Sequence, residues 1–259
     1  MTTIHAIPAF SDNYIWAIKS ARGDVALVDP GDARAAKDWL AQHGGRLTDI
    51  LITHHHADHV GGVPALADTS VRIHGPADSP FKGITHPLGD QDSITVLGAR
   101  LFIKAVPGHT LDHIAYLAPA GSWMTEPVLL CGDTLFAAGC GRLFEGTPAM
   151  MHQALQWMAA LPEATRVYCT HEYTLSNLRF AHAVEPENPV IQKRLHDTQV
   201  LRETGMISLP STIGLERLTN PFLRVNDPAV QSAARTHSQR PLATPIDVLA
   251  AIRSWKDTF

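Results

Sequence analysis

Between positions 52 and 62 the chain reads ITHHHADHVGG, four histidines and an aspartate within six positions, set between an apolar run and two glycines. Unpaired imidazoles and carboxylates are costly away from water, so such a cluster at the end of an apolar strand implies a bound group. His54, His56, Asp58 and His59 fit the pattern H-x-H-x-D-H. At strand pitch, residues two apart point the same way, so His54 and His56 can grip one ion. Asp58 and His59 come after the chain starts to turn, a turn that Gly61-Gly62 lets tighten, and face a different point. His55 alternates away and is not expected to ligate. Three later stretches share the same punctuation, a strand followed by a polar residue. AVPGHT places His109, LLCGDT places Asp133 and VYCTHEY places His171. Ligands at strand ends gathered along one sheet edge make a rigid site. The expected set is His54, His56 and His109 for one metal and Asp58, His59 and His171 for a second. Asp133, with two ligating oxygens, would bridge them.

These ligands are imidazole and carboxylate without thiolate. That set suits zinc, iron or manganese, and argues against iron–sulfur or Cu(I) sites. The expectation is two divalent ions per chain, zinc by default. Paired ions in such sites sit ~3.5–4 Å apart and clamp a hydroxide, because a bound metal brings the pKa of water from 15.7 to about 7. Asp58, a ligand with a free oxygen, would also orient that nucleophile. Only five of the fifteen histidines enter the set. His113 lies four residues after His109, but strand spacing points it elsewhere, so it is kept out with the remaining surface or core histidines. Cys131, Cys140 and Cys169 form no CxxC pair. They read as small buried apolar residues of a reducing compartment.

The elements that must hold these residues are short strands and helices. Apolar runs at 25–29, 49–53, 113–117, 128–131 and 166–170 end in turn residues, and 94–96 with 101–106 flank LGAR as a hairpin. A helix is expected over Ala33–His43, closed by Gly44-Gly45. Another begins with Thr147 as N-cap and Pro148 at its first position. In it Met150, Ala154 and Met158 share one face, and Met151, Leu155 and Leu161 more loosely share another. After about residue 173 strand-like runs disappear. Asn188-Pro189 opens a helix with Ile191, Leu195, Thr198 and Leu201 at helical spacing and Gly205 as its stop, and Thr244-Pro245 opens a last one. The expected class is α+β, with a first domain over 1–172 and an all-helical second domain over 173–259.

With its ligands in order, the sequence resembles the metallo-β-lactamase superfamily, whose T-H-x-H-x-D-H motif matches positions 53–59 and whose later ligands match His109, Asp133 and His171. The resemblance implies an αβ/βα sandwich with helices outside and metals at one edge. GCGRLFEGT (139–147), THEYTLSNLRFA (170–181), NPFLR (220–224) and the terminal IRSWKDTF are similar to glyoxalase II, the hydroxyacylglutathione hydrolases. That family hydrolyses S-(2-hydroxyacyl)glutathione thioesters such as S-D-lactoylglutathione, in the second step of methylglyoxal detoxification. By motif position, Arg142, Phe144, His171, Tyr173, Arg253 and Lys256 correspond to its substrate contacts. Arg253 and Lys256 lie three apart on the last predicted helix, hence on one face, and would meet the carboxylates of glutathione. Two departures stand out. Some members carry Lys and Tyr where Arg142 and Phe144 stand, which removes any phenol contact there. Asp112 replaces a residue that is often Gly in the GHT-x-x-H turn.

The chain's 259 residues are enough for one large domain or two modest ones. A net charge of −4 argues against a nuclease or another nucleic-acid binder, which would show a basic groove. No signal peptide and no run of ~20 apolar residues is expected, so the protein reads as a cytoplasmic monomer without a membrane partner. A persulfide dioxygenase on the same fold would use one iron and leave the second half-site incomplete. A glutathione- or metal-binding protein without catalysis would show no metal-dependent turnover.

Overall fold

The computed structural model describes residues 2–259. The first sheet contains β1 (Thr3–Ala9), β2 (Asn13–Lys19), β3 (Asp24–Val28), β4 (Arg46–Leu51), β5 (Arg72–Pro76) and β6 (His86–Leu88), in that spatial order. Its first three strands pair antiparallel, and β3 through β6 pair parallel. Parallel neighbours need a crossover. Between β3 and β4 it is α1 (Ala33–His43), and between β4 and β5 it includes the short helices α2 (Ala57–Val60) and α3 (Val63–Leu66).

The second sheet contains β7 (Ser93–Val96), β8 (Ala99–Ala105), β9 (Ile114–Ala118) and β10 (Val128–Gly132). A small ribbon of β11 (Leu135–Phe136) and β12 (Gly139–Cys140) and the helix α4 (Pro148–Ala159) precede β13 (Arg166–Cys169). Then come α5 (Thr174–Val184), α6 (Pro189–Glu203), β14 (Ser211–Thr212), α7 (Ile213–Thr219), α8 (Pro228–Ser238) and α9 (Pro245–Asp257). The spatial order of this sheet is β14-β13-β10-β9-β8-β7.

Alternation explains the layers. In β2, Tyr14, Trp16 and Ile18 face the core between the sheets, while Ile15 and Ala17 pack with Trp39 of α1 on the outer side. A strand covered on both faces is apolar throughout, which is why such strands read as runs rather than alternations. The two sheets share one large core that extends into the helical segment through Phe180, Phe222 and Ile252. No helix among the described residues is long and apolar enough to cross a membrane.

The expected helices form where the sequence put them. Thr147 accepts from the amide of Met150, and Thr244 and Asp247 complete a reciprocal capping box. The buried stripe of α4 is Met151, Ala154, Leu155 and Met158, so Met150, expected on the Ala154 face, is left outside. In α6 the buried residues are Ile191, Arg194 and Thr198, so an arginine takes the place expected for Leu195. Strands were expected to vanish after 173, yet β14 pairs antiparallel with β13 and joins the helical segment to the second sheet.

Candidate metal centre and substrate cleft

The expected ligands converge at one edge of the sandwich. Chain reversal after β4 brings His54, His56 and, through α2, Asp58 and His59 to the ends of the first sheet. The loops after β8, β10 and β13 bring His109, Asp133 and His171 from the second. His54, His56 and His109 form one group of donors, Asp58, His59 and His171 form another, and in each group the ligating atoms lie within 4.8 Å of one another. Asp133 stands between them, with Oδ2 3.6 Å from His109 Nε2 and 3.2 Å from His171 Nε2. Its Oδ1 is 3.5 Å from His59 Nε2. Gly132 sets this position. Its φ is +47°, and a Cβ there would lie 2.3 Å from Thr53 Oγ1, so glycine is required on both counts.

Four of the five imidazoles have a tether on the outward ring nitrogen, which fixes the ring and turns the other nitrogen inward. His109 Nδ1 donates to the carbonyl of Arg142 (2.8 Å), and His171 Nδ1 donates to Asp12 (2.7 Å). His59 Nδ1 lies 3.0 Å from Asp29. Asp29 also accepts from the amide and hydroxyl of Thr53, and that hydroxyl in turn receives His54 Nδ1 at 3.1 Å. Asn13 donates to Asp58 at 2.9 Å. The inward atoms His54 Nε2, His59 Nε2 and Asp133 Oδ1 are buried with no protein partner. Buried polar atoms are almost always paired, so this orphaned set is the mark of a site shaped for a cation.

The electrostatics divide the two groups. Burial pushes His54, His56 and His109 below the usual imidazole range, toward the neutral ligating form. Burial also opposes charge on His59 and His171, but acids outweigh it. Asp133 and Asp29 hold His59 well above the ordinary value, and Asp133, Asp58 and Asp12 raise His171 to about 10. The carboxyls of Asp58 and Asp133 are held below the carboxylate range despite burial, with His171 and His59 foremost among the causes.

The ligands open on a cavity of about 550 Å³ whose other end is lined by Arg142, Phe144, Tyr173, Arg253 and Lys256. His171 lines it too, so all six expected contacts are in one cleft. Tyr173 stacks on His171 with ring centroids 4.7 Å apart, and Phe144 lies edge-on to His56 and His109. Burial and Asp12 raise the Tyr173 phenol, so it stays a neutral donor. Arg253 is not a solvated cation. It is buried, donating from Nη1 to the Cys140 carbonyl (2.8 Å) and from Nη2 to Asp257 (3.2 Å). Asp257 also accepts from Arg142 Nε at 3.0 Å. A larger cleft of about 810 Å³ opens between α5 and α8 around Trp255, but Glu185 and Asp227 in its wall are already taken up by Arg224.

Several site residues were not foreseen. Asp29 ends a strand just as the ligands do, and that signal was available. Asp12 sits in the turn between β1 and β2 and Asn13 opens β2, strands outside the sequence reading. His113 stacks on His54 at 4.7 Å and accepts from the amide of Asp133, so it supports ligands from below.

A sandwich of two such sheets, with histidines and aspartates gathered at one edge, defines the metallo-β-lactamase superfamily, and residues 10–171 match its model. The superfamily implies a dinuclear metal site, and the donor set fits one. Residues 172–259 match the model described as hydroxyacylglutathione hydrolase C-terminus. Over its full length the chain is 56% identical to the hydroxyacylglutathione hydrolase of Ectopseudomonas mendocina (strain ymp) and 55% identical to that of Pseudomonas aeruginosa (strain LESB58), with all of each relative covered. Among solved structures it is similar in fold to ETHE1 from Myxococcus xanthus, with a TM-score of 0.65 and 20% identity over 100% of this chain and 99% of that one. It is likewise similar to the BLEG-1 B3 metallo-beta-lactamase, with a TM-score of 0.62 and 23% identity over 85% and 99%. The chain belongs to the hydroxyacylglutathione hydrolase family.

Proposed function

We propose that the protein hydrolyses S-(2-hydroxyacyl)glutathione, with S-D-lactoylglutathione as its principal substrate, releasing glutathione and D-lactate. It is a thioester hydrolase, as its full-length relatives are named. The observation that carries the reading is one cleft with two donor groups meeting at Asp133 at one end and Arg142, Arg253 and Lys256 at the other.

In this reading His54, His56 and His109 hold one divalent ion, Asp58, His59 and His171 hold the second, and Asp133 serves both. Zinc is the default, with iron or manganese open to the same ligands. Two ions so held would lower the pKa of water to about 7 and polarise the thioester carbonyl. The protein's own part is positional. Asp12, Asp29, Thr53 and the Arg142 carbonyl keep His171, His59, His54 and His109 aimed inward, and Asn13 leaves Asp58 one oxygen to orient the attacking water. Lys256 and the arginines take the carboxylates of glutathione, which lays the thioester across the donor edge. The leaving thiol has a free pKa of about 8.5, so it departs without a dedicated general acid. The proposal divides the chain into a catalytic domain over 1–172 and a glutathione-binding helical domain over 173–259. The family models meeting at 171 and 172 support that division. It further takes the enzyme to be a cytoplasmic monomer, in keeping with three free buried cysteines.

The test follows loss of thioester absorbance with S-D-lactoylglutathione before and after chelation, alongside elemental analysis. Two ions per chain and turnover that vanishes on chelation are expected. Full activity with a single ion would overturn the dinuclear assignment.

A further inference from the structure

His55 and Asp112 are the two features of the ligand motifs to which the function assigns no role, and the fold brings them together. His55 Nδ1 lies 2.9 Å from Asp112 Oδ1, and its Nε2 lies 3.4 Å from Glu145 Oε1. Asp112 is buried. Its Oδ1 also accepts from the Thr110 hydroxyl (2.7 Å), and its Oδ2 has no partner. Glu145 Oε2 accepts from the Leu111 amide at 2.8 Å. The same two loops are stitched by the Phe144 amide to the His109 carbonyl and the Gly146 amide to the Gly108 carbonyl.

The consequence is geometric. His56 Nδ1 and His109 Nε2 stand 3.1 Å apart, yet they come from loops more than fifty residues apart in sequence. Behind that meeting point His55, whose two neighbours are both ligands, ties the first loop to the second through Asp112 and to the Arg142 loop through Glu145. The Arg142 loop in turn holds His109 Nδ1. Neither His55 nor Asp112 lines the cleft.

We infer that His55, Asp112 and Glu145 are positioning residues that fix His54 and His56 against His109 and thereby set the affinity for the ion these three hold. The inference rests on the proposed metal reading. A buried carboxylate with one unpaired oxygen is costly, so its pairing with His55 is what makes Asp112 tolerable in this turn. Outer partners of metal ligands contribute about 10- to 100-fold to affinity, and a tether one step further out belongs at the low end.

The experiment measures both zinc dissociation constants by competition with a chromophoric chelator, for wild type, Asp112→Gly, Asp112→Asn, His55→Ala and the double variant His55→Ala/Asp112→Gly. In Asp112→Gly one of the two constants should rise roughly ten-fold, with the other and KM unchanged. Asp112→Asn keeps an acceptor for His55 and should largely restore it. The double variant should be no weaker than the worse single one, because both remove the same tether. Two ions bound with unaltered constants in Asp112→Gly would overturn the inference and leave the metal reading standing. A wild type that binds no zinc would overturn the metal reading itself. Lowered thermal stability with unchanged constants would make the cluster structural and also refute it.

Discussion

Strand β4 leads into two buried clusters of histidine and carboxylate, and they are finished differently. Along the strand, Asp49 is fully buried and takes a bidentate bond from Arg72 (2.8 and 2.9 Å), one from Thr48 and a contact from His74 at 3.0 Å. Both of its oxygens are occupied, and the one buried atom of the cluster left without a partner, His74 Nδ1, belongs to no group of converging donors, so in that sense the cluster is closed. Beyond the strand's end, His54, His59 and Asp133 are just as buried, but each keeps an inward atom without a partner. The residue types are the same. What separates a structural ion-pair cluster from a candidate metal centre is whether several unanswered atoms converge on one point.

The largest expected effect tests the open cluster. Asp133→Ala removes the one group that faces both donor sets. Turnover should fall by several orders of magnitude while circular dichroism stays that of the wild type, because the sandwich core is assembled from apolar side chains. A variant keeping most of its turnover would show that the open cluster is not the reactive one.

The cationic end of the cleft lies between these extremes. Lys256→Ala should raise KM for the glutathione thioester roughly ten- to a hundred-fold with little change in kcat. A charge-assisted hydrogen bond contributes about 1.5–3 kcal/mol, felt equally by substrate and transition state. A thioester lacking the tripeptide should be hydrolysed alike by both proteins, and equal losses on the two substrates would make Lys256 structural. Arg253→Ala is a less clean test than the sequence implied. It also strips the Cys140 carbonyl of a buried donor, at a cost of about 1–3 kcal/mol in stability.

Much of the open cluster was legible because it is local. His54 through His59 are fixed by strand alternation followed by a turn, and His109, Asp133 and His171 each follow a visible strand. The tethers were not legible, because they are long-range. Asp12 reaches His171 across 159 positions and Arg142 reaches Asp257 across 115, distances over which spacing carries no information. The strands β5 and β6 were missed for a related reason. RIHGP and HPL are short and carry Pro and Gly, and they become strands only by pairing with the first sheet. Arg194 lay outside the stripe of Ile191, Leu195, Thr198 and Leu201 expected for α6. It is buried because Glu216, Ser211 and Thr219, all from later in the chain, supply its partners.

The smallest expected effect on chemistry, and the complement of the first test, is Asp49→Asn in the closed cluster. Burial alone would raise this carboxyl, but His74, Arg72 and Thr48 outweigh it and bring its pKa down to about 2, from an ordinary value of 3.8. A depressed carboxyl stabilises the folded state above its unfolded pKa, and that stabilisation is lost as pH falls through the folded value. The window is therefore about pH 4 down to about pH 2, and the pair of values corresponds to a contribution of about 2 kcal/mol at neutral pH. Asp49→Asn cannot take up that proton. Its unfolding free energy, followed by denaturant titration at successive pH values, should be lower at pH 7 and should fall less steeply across that window than the wild type's. Turnover and metal content at neutral pH should match the wild type's, since both oxygens of Asp49 are answered and no residue of this cluster joins a group of converging metal donors. A steep loss of activity or of a bound ion would mean that the two clusters are coupled along β4, and the distinction between an open and a closed cluster would fail. An acid limb identical to the wild type's would mean that Asp49 does not titrate as a held carboxylate at all.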